Sequence, residues 1–531
     1  MAPESNRHPV RRAELRVAAA LAVIAVACSG YELELPGSAA LAEPASRVAA
    51  APGVVPARAV VVPAAARVVT ADVVVADAVA PAAPPVAEAE PVAPASEGDA
   101  PSAPLELVAT AREVIVYAEP TRSATKLGYL RLGARVKRGA EPAGYEGCPR
   151  GFYAVAPVGF VCVGNAASVE PNHPLAELAR TRADRGSGLP YVYGRSKPVP
   201  APLYRRLPSR EETIAFEGAA PRRAAGFEEL LAREAPAYLA GGQSMPTPFG
   251  YARSDAAAMT RAVANSSFAL LDVVLHEGRP FGVTTDLDLV PLDRLTRVQA
   301  SEFHGVALDD GMSLPLVFVR TRHAVLLSGN PERGLRVARP LAYREAVALS
   351  GNVRRFDGVR YLETKAGDWL RDADLVRVDA PERTPPGVAQ GQSWLSVSVL
   401  NQTLVALVGS RPVYATLVST GSGGMGDPAT THATPRGEFR IHTKHVSATM
   451  SGEEVGDEYD LRDVPYVQYF TGGYAFHAAH WHDAFGAPHS HGCVNLSPVD
   501  ARWLFHFSEP AVPQGFHGAF SREGTLVSIS P

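Results

Sequence analysis

The sequence predicts a mainly β, multidomain protein. Three observations lead there. The chain has 531 residues, more than one ordinary core accommodates, and that length suggests roughly two to four domains. It carries 46 Pro and 46 Gly, which point to linkers and many turns. Its structured stretches read as short runs of β-branched and aromatic residues punctuated by turn signals. The net charge of -4 is small for this size and leaves no basic footprint for nucleic acid. Cys28, Cys148, Cys162 and Cys493 are too few for a disulfide scaffold, so each is read on its own.

The start of the chain predicts export. Arg7, Arg11, Arg12 and Arg16 form a basic region, residues 17–27 are apolar, and Ala25-Val26-Ala27 fits an A-x-A cleavage site. Residues 1–28 therefore read as a signal peptide. The apolar run is about half the roughly 20 residues a membrane-spanning helix needs. Cys28 stands where a bacterial lipoprotein is acylated, although Ala25 replaces the usual leucine, so simple cleavage is the alternative. A twin-arginine reading of Arg11-Arg12 is opposed by Glu14, which stands where an apolar residue belongs. Residues 29–104 are almost all Ala, Val, Pro and Glu, as in Pro81-Ala82-Ala83-Pro84-Pro85. Proline at that density blocks helices and sheets, so an extended tether is expected. The expected location is the periplasm or cell envelope, with a lipid anchor on Cys28 as the candidate membrane contact.

Residues 105–170 change character. Short β-type runs such as Glu113-Val114-Ile115-Val116-Tyr117 and Gly159-Phe160-Val161-Cys162-Val163 alternate with Gly and Pro turns. This pattern resembles a bacterial SH3-like small barrel. An oxidising compartment would permit a Cys148–Cys162 bridge; two buried thiols are the alternative. In residues 171–390 the one internal signal is a weak repeat. Residues 284–298 align without gaps to 364–378, with matches at Thr284/Thr364, Asp288/Asp368, Leu295/Leu375, Arg297/Arg377 and Val298/Val378. Two further small β units are the expectation.

Residues 391–530 carry the chemistry. Leu395, Val397 and Val399 alternate with serines, and turns at Asn401-Gln402 and Gly409-Ser410 separate the following apolar runs, which predicts a β meander with one buried face. Thr434-Pro435-Arg436-Gly437-Glu438-Phe439 makes a turn into another strand. Ser490-His491-Gly492-Cys493-Val494-Asn495 sets Cys493 between a glycine and a β-branched residue. Ser497-Pro498-Val499-Asp500 reads as a helix start, with Ser497 as the N-cap. A cysteine near a helix N-terminus and among imidazoles favours the thiolate, and His477, sixteen residues upstream, is a base that a hairpin or loop crossing can bring to it.

These residues resemble the catalytic signature of the L,D-transpeptidases, the YkuD-type domain, in which a histidine precedes an S/T-H-G-C-x-N/R motif. Ser490, His491, Gly492, Cys493, Asn495 and His477 all match it, as does the T-P-x-G-x-F turn. The resemblance implies that Cys493 attacks the third residue of a peptidoglycan stem tetrapeptide and releases D-alanine, with His477 as base and later acid. It further implies an oxyanion held by backbone N–H groups around Gly492 and Cys493, and turn-shaping roles for Ser490, His491 and Asn495. The acyl group would pass to the amine of a second stem peptide, giving a 3-3 cross-link, to a lysine of an outer-membrane protein, or to water. No cofactor or metal is implied. The rival readings are a metal hydrolase built on His477, His480, His482, His489, His491 and Cys493, and a non-catalytic wall-binding scaffold. The first lacks an acidic base at helical spacing and the second does not need an intact His477 and Cys493. Trp481, His482 and the acidic segment 447–463 are the residues expected to line a channel for the incoming amine.

Overall fold

The meander after Gln392 is buried on both faces rather than the expected one: Leu395, Val397, Leu404 and Ala406 enter one apolar core and Trp394, Val405 and Leu407 another. In the computed structural model, strands Ser393–Ser398, Thr403–Val408 and Arg411–Leu417 pair antiparallel, from Ser393↔Val408 to Thr403↔Leu417. Leu395, Val397 and Val399 are buried. Gln402 makes the tight turn at φ +56°. Its side-chain amide donates to Val399 O and Thr420 Oγ1 and accepts from Thr420 N, so the turn is tied into the sheet. Leu526–Ser530 joins parallel to Ser393–Ser398, and Gly437–Arg440 and Val306–Ala307 complete a six-stranded sheet. The structure describes residues 105–531 apart from 219–223, 225, 229, 231–232, 250, 252–258, 310 and 453–458. The signal peptide, Cys28 and the tether lie outside the described residues.

A second, larger sheet holds the long hairpin Thr443–Gly452/Tyr459–Thr471, then Tyr474–Ala478, then Val494–Leu496. Helix Pro498–Phe507 packs on it. Ser497 Oγ accepts from Asp500 N at 3.1 Å and Pro498 stands in the first turn. Among the described residues strand outweighs helix, 44% against 8%, so this part of the protein is mainly β.

Residues 105–170 divide between two sheets: Glu106–Ala109, Arg135–Lys137 and Ala167–Ser168 form a three-stranded sheet of their own, and the other strands are woven into the large sheet. Lys126–Arg131 pairs with Glu113–Tyr117 on one side and with Gly518–Phe520 on the other, in the register Gly128↔Ala519 and Tyr129↔Gly518. Leu107, Val116 and Leu130 share one apolar core with Leu395, Val397, Phe476 and Phe505. Cys148 and Cys162 are bridged, with Cα atoms 5.8 Å apart.

The two windows of the weak repeat fold alike. In the first, strand Arg279–Thr284 turns into Leu289–Pro291, a single 3-10 turn and Leu295–Arg297; in the second, Val359–Thr364 turns into Trp369–Arg371, a 3-10 turn and Leu375–Val378. The conserved turn chemistry is visible atom by atom. Thr284 N donates to Asp288 O at 2.9 Å and Asp288 N to Thr284 Oγ1 at 3.0 Å; Thr364 and Asp368 do the same at 2.8 and 3.1 Å. The second window belongs to a seven-stranded sheet over residues 316–378. The first belongs to the large sheet, and there Asp463 forms the junction. Asp463 is fully buried and accepts from Arg131 at 2.6 and 3.0 Å, from Ser447 Oγ at 2.7 Å and from Thr285 Oγ1, while its backbone carbonyl accepts from Tyr193 OH at 2.6 Å.

Candidate active site

Two short parallel strands set the site. Tyr474–Ala478 pairs with Val494–Leu496 as Phe476↔Val494, His477↔Asn495 and Ala478↔Leu496. Paired residues of parallel strands share a face, so His477 and Asn495 lie together, and Cys493 ends the turn that leads into the second strand. A parallel pair with an intervening loop, rather than a hairpin, closes the sixteen-residue gap in sequence. Cys493 Sγ lies 3.8 Å from Gly473 O, at the start of the histidine strand. Among the described residues it is the cysteine outside the bridge, and it is partly exposed.

His477 is buried, and its Nδ1 lies 3.2 Å from Ala478 O. A carbonyl only accepts, so Nδ1 carries the proton and Nε2 keeps the lone pair. Burial lowers the imidazole pKa to about 4, which keeps it neutral at pH 7. The ring is therefore a base with its acceptor atom defined. Trp481 packs on it with ring centroids 5.6 Å apart.

The turn before Cys493 is held by short bonds. Ser490 Oγ donates to Cys493 O and accepts from Gly492 N at 3.0 Å. Thr434 Oγ1 donates to Gly492 O and accepts from Gly421 N, both at 2.8 Å. Gly492 has φ +127°, and a Cβ there would lie 2.4 Å from the Tyr474 ring, so only glycine fits. Sequence reasoning noted the Thr434 turn but not that this hydroxyl pins the cysteine loop; its position next to Pro435 was the available signal. Of the backbone N–H groups around Gly492 and Cys493, that of Gly492 donates to Ser490 Oγ.

His482 and Asn495 form a second clamp. His482 Nδ1 accepts from Ala484 N at 3.1 Å, so the neutral ring carries its proton on Nε2. Nε2 lies 2.9 Å from the Asn495 amide, which must turn its oxygen to that proton; the swap also satisfies Asn495 Oδ1, otherwise left without a partner. Burial lowers the His482 pKa to about 3, with the nearby His489 adding to the effect. His491 packs against His432 with ring centroids 4.0 Å apart and the planes tilted by 38°, and His480 packs on Tyr193 at 4.9 Å. Trp481 packs on His477, His480 and His482, and His482 on His489 at 4.3 Å; among the described residues no group of three or more His, Cys, Asp or Glu is placed to hold a metal ion.

The expected amine channel is corrected on three counts. Trp481 and His482 are buried and packed into the loop rather than lining an opening. Asp460 and Asp463 lie in strand Tyr459–Thr471 and are buried, Asp463 beside Arg131 and Asp460 beside Arg462, so neither faces an incoming amine. Ser447, at the other end of the segment, is likewise in a strand and bonded to Asp463. Acidic side chains drawn into a core are neutralised by arginine, and sequence gives their charge without their burial. Glu453, Glu454, Asp457 and Glu458 lie outside the described residues.

Residues 392–529 match the family model of the L,D-transpeptidase catalytic domain, YkuD. A Bacillus subtilis protein named as an L,D-transpeptidase, YciB, is 26% identical over 132 residues, which cover 23% of this chain and 63% of the relative. Among solved structures, an L,D-transpeptidase from Stackebrandtia nassauensis is 23% identical, covering 27% of this chain and 58% of its own, with a TM-score of 0.20. The catalytic domain of an Enterococcus faecium L,D-transpeptidase is 22% identical, covering 26% of this chain and 98% of its own, with a TM-score of 0.21. The match spans less than two thirds of the Bacillus and Stackebrandtia chains.

Proposed function

We propose that this chain is an exported peptidoglycan L,D-transpeptidase that works through a cysteine acyl-enzyme. The observation that carries the reading is the parallel register His477↔Asn495, which brings the turn holding Cys493 beside the start of the histidine strand, with Cys493 Sγ 3.8 Å from Gly473 O and His477 Nδ1 committed to Ala478 O. His477 Nε2 takes the thiol proton, and the Cys493 sulfur attacks the carbonyl carbon of the third residue of a stem tetrapeptide. The tetrahedral intermediate collapses as the C–N bond breaks, and the same proton passes from Nε2 to the departing D-alanine amine. A second stem peptide then brings its amine to the thioester. Nε2 takes a proton from that amine, the new amide forms, and the sulfur leaves as thiolate to recover the proton, giving a 3-3 cross-link. Ser490, Thr434 and Gly492 fix the loop that presents the sulfur, and His482 with Asn495 holds the strand behind it. The family match at residues 392–529 supports acyl transfer on peptidoglycan stem peptides. In this reading Cys28 is the anchor and residues 29–104 the tether that spans from membrane to wall.

The test is product analysis with the full mature chain and disaccharide-tetrapeptide. Dimers joined through two third-position residues are expected, with free D-alanine in matching amount. Tripeptide alone at high acceptor concentration would make the protein an L,D-carboxypeptidase, and neither product would remove the catalytic reading.

A further inference from the structure

The geometry points to Arg344, on the seven-stranded unit of residues 316–378, as a positioning residue for the loop of residues 479–489 that encloses Cys493 and His477. This inference rests on the acyl-transfer reading above and extends the catalytic assembly beyond the matched family domain.

The loop touches the site on two sides. Trp481 covers the His477 ring and His482 holds Asn495. Its far end is closed by Gly486 N donating to Val418 O at 2.9 Å and Ser419 Oγ donating to Ala484 O at 3.0 Å. At its middle stands Asp483, whose side chain is 59% exposed, so burial does not hold it. Arg344 does. Its side chain is only 7% exposed, Nη1 donates to Asp483 Oδ1 at 2.7 Å and Nη2 donates to Asp483 O. The guanidinium also lies over Phe303 at 4.9 Å and over Phe485, within the loop itself, at 5.6 Å. An ordinary surface ion pair contributes little. This one differs because the guanidinium is buried and rests on the Phe303 and Phe485 rings, while the Arg344 backbone, at φ +65°, donates its N–H to Val319 O at 2.7 Å. A side chain fixed in that way spends little conformational entropy on the clasp and grips backbone as well as carboxylate. Opposite Arg344, Tyr193 packs on His480, whose two ring nitrogens have no partner among the described residues, so that residue is placed by packing alone. The loop is therefore gripped from two sides by units outside residues 392–529. Displacements of about 1 Å in a reacting group can lower turnover on the order of 100-fold.

The test uses the full mature chain with Arg344→Ala, Arg344→Lys, Asp483→Ala and the Arg344→Ala/Asp483→Ala double variant. Two readouts are followed: D-alanine release from tetrapeptide, and the pH dependence of Cys493 alkylation by iodoacetamide, which needs no substrate. Arg344→Ala is expected to lower kcat at least tenfold with KM within about threefold, and to move the alkylation midpoint to higher pH as the imidazole drifts from the thiol. Arg344→Lys should recover part of both, and the double variant should lose less than the product of the two single losses, since both changes break the shared Arg344–Asp483 bond. Should Arg344→Ala not fold, Asp483→Ala, at an exposed side chain, carries the same test in the same direction. Unchanged turnover and an unchanged alkylation profile in Asp483→Ala would overturn the inference, as would multiplicative losses in the double variant. If the parent chain releases no D-alanine, the functional reading fails, while the alkylation profiles still decide the role of Arg344.

Discussion

Replacing Asp463 by Asn isolates one charge at the place where three stretches of the chain meet. Asp463 has φ +57°, a conformation Asn also tolerates, so the backbone is undisturbed. The change removes the carboxylate that faces Arg131 at 2.6 Å, with side-chain exposures of 0% and 10%. Burial opposes the charge on Arg131 and Asp463 offsets that opposition, so the guanidinium is left stranded. Breaking one partner of a buried pair costs about 3–5 kcal/mol, against a total stability on the order of 5–15 kcal/mol. With a urea slope of roughly 1–3 kcal/mol per molar, the unfolding midpoint should fall by about 1 M or more. The assay is urea denaturation followed by tryptophan fluorescence on the full mature chain. Adding Arg131→Met should recover part of the loss, because the unpaired cation is then gone. A midpoint within about 0.3 M of the parent would refute the reasoning, since the pair would then hold nothing together.

Two further outcomes are expected. Gly492→Ala should reduce D-alanine release at least tenfold, because the added Cβ meets the Tyr474 ring at 2.4 Å and φ +127° is hostile to alanine; near-parental turnover would mean the motif turn can relax. Stability should fall as pH drops below about 6.5. His477, His480 and His482 are held neutral by burial, with pKa values lowered to about 4, 3 and 3. The unfolded chain binds more protons than the folded one between those values and 6.5, so stability rises with pH across that window and is lost as pH falls through it. At 1.36 kcal/mol per unit, each histidine accounts for roughly 2 kcal/mol by pH 5. His480→Phe should flatten the slope measured by urea titration at a series of pH values; a slope unaffected by that change would contradict the assignment.

Much of the architecture was legible because it is local. Leu395, Val397 and Val399 announce their strand by a period of two, and Ser497 with Pro498 announces the helix start by capping chemistry. The Thr284/Thr364 repeat was readable because a Thr side chain and an Asp backbone four residues on make the same turn in both units. The sharing of one sheet between residues 105–170 and the catalytic segment was not. It depends on Gly128 and Gly518 approaching so closely that a Cβ on Gly128 would lie 2.1 Å from Gly518 O, a contact between residues almost four hundred positions apart that leaves no local pattern. The motif residues were legible as a string, whereas their supports were not. Thr434, His482 and Arg344 act through partners that only the folded chain brings near. The acidic segment misled for the converse reason: Asp460 and Asp463 look like surface charge until Arg462 and Arg131 are seen beside them.

The central claim is that Cys493 forms the acyl-enzyme. Intact-mass spectrometry of the full mature chain after brief exposure to disaccharide-tetrapeptide, quenched in acid, tests it most directly. The account predicts a mass gain equal to the disaccharide-tripeptide acyl group, mapped by digestion to the peptide holding Cys493, and lost in Cys493→Ala at an unchanged melting temperature. An adduct that persists in Cys493→Ala, or D-alanine release continuing there at a tenth of the parental rate or more, would contradict it.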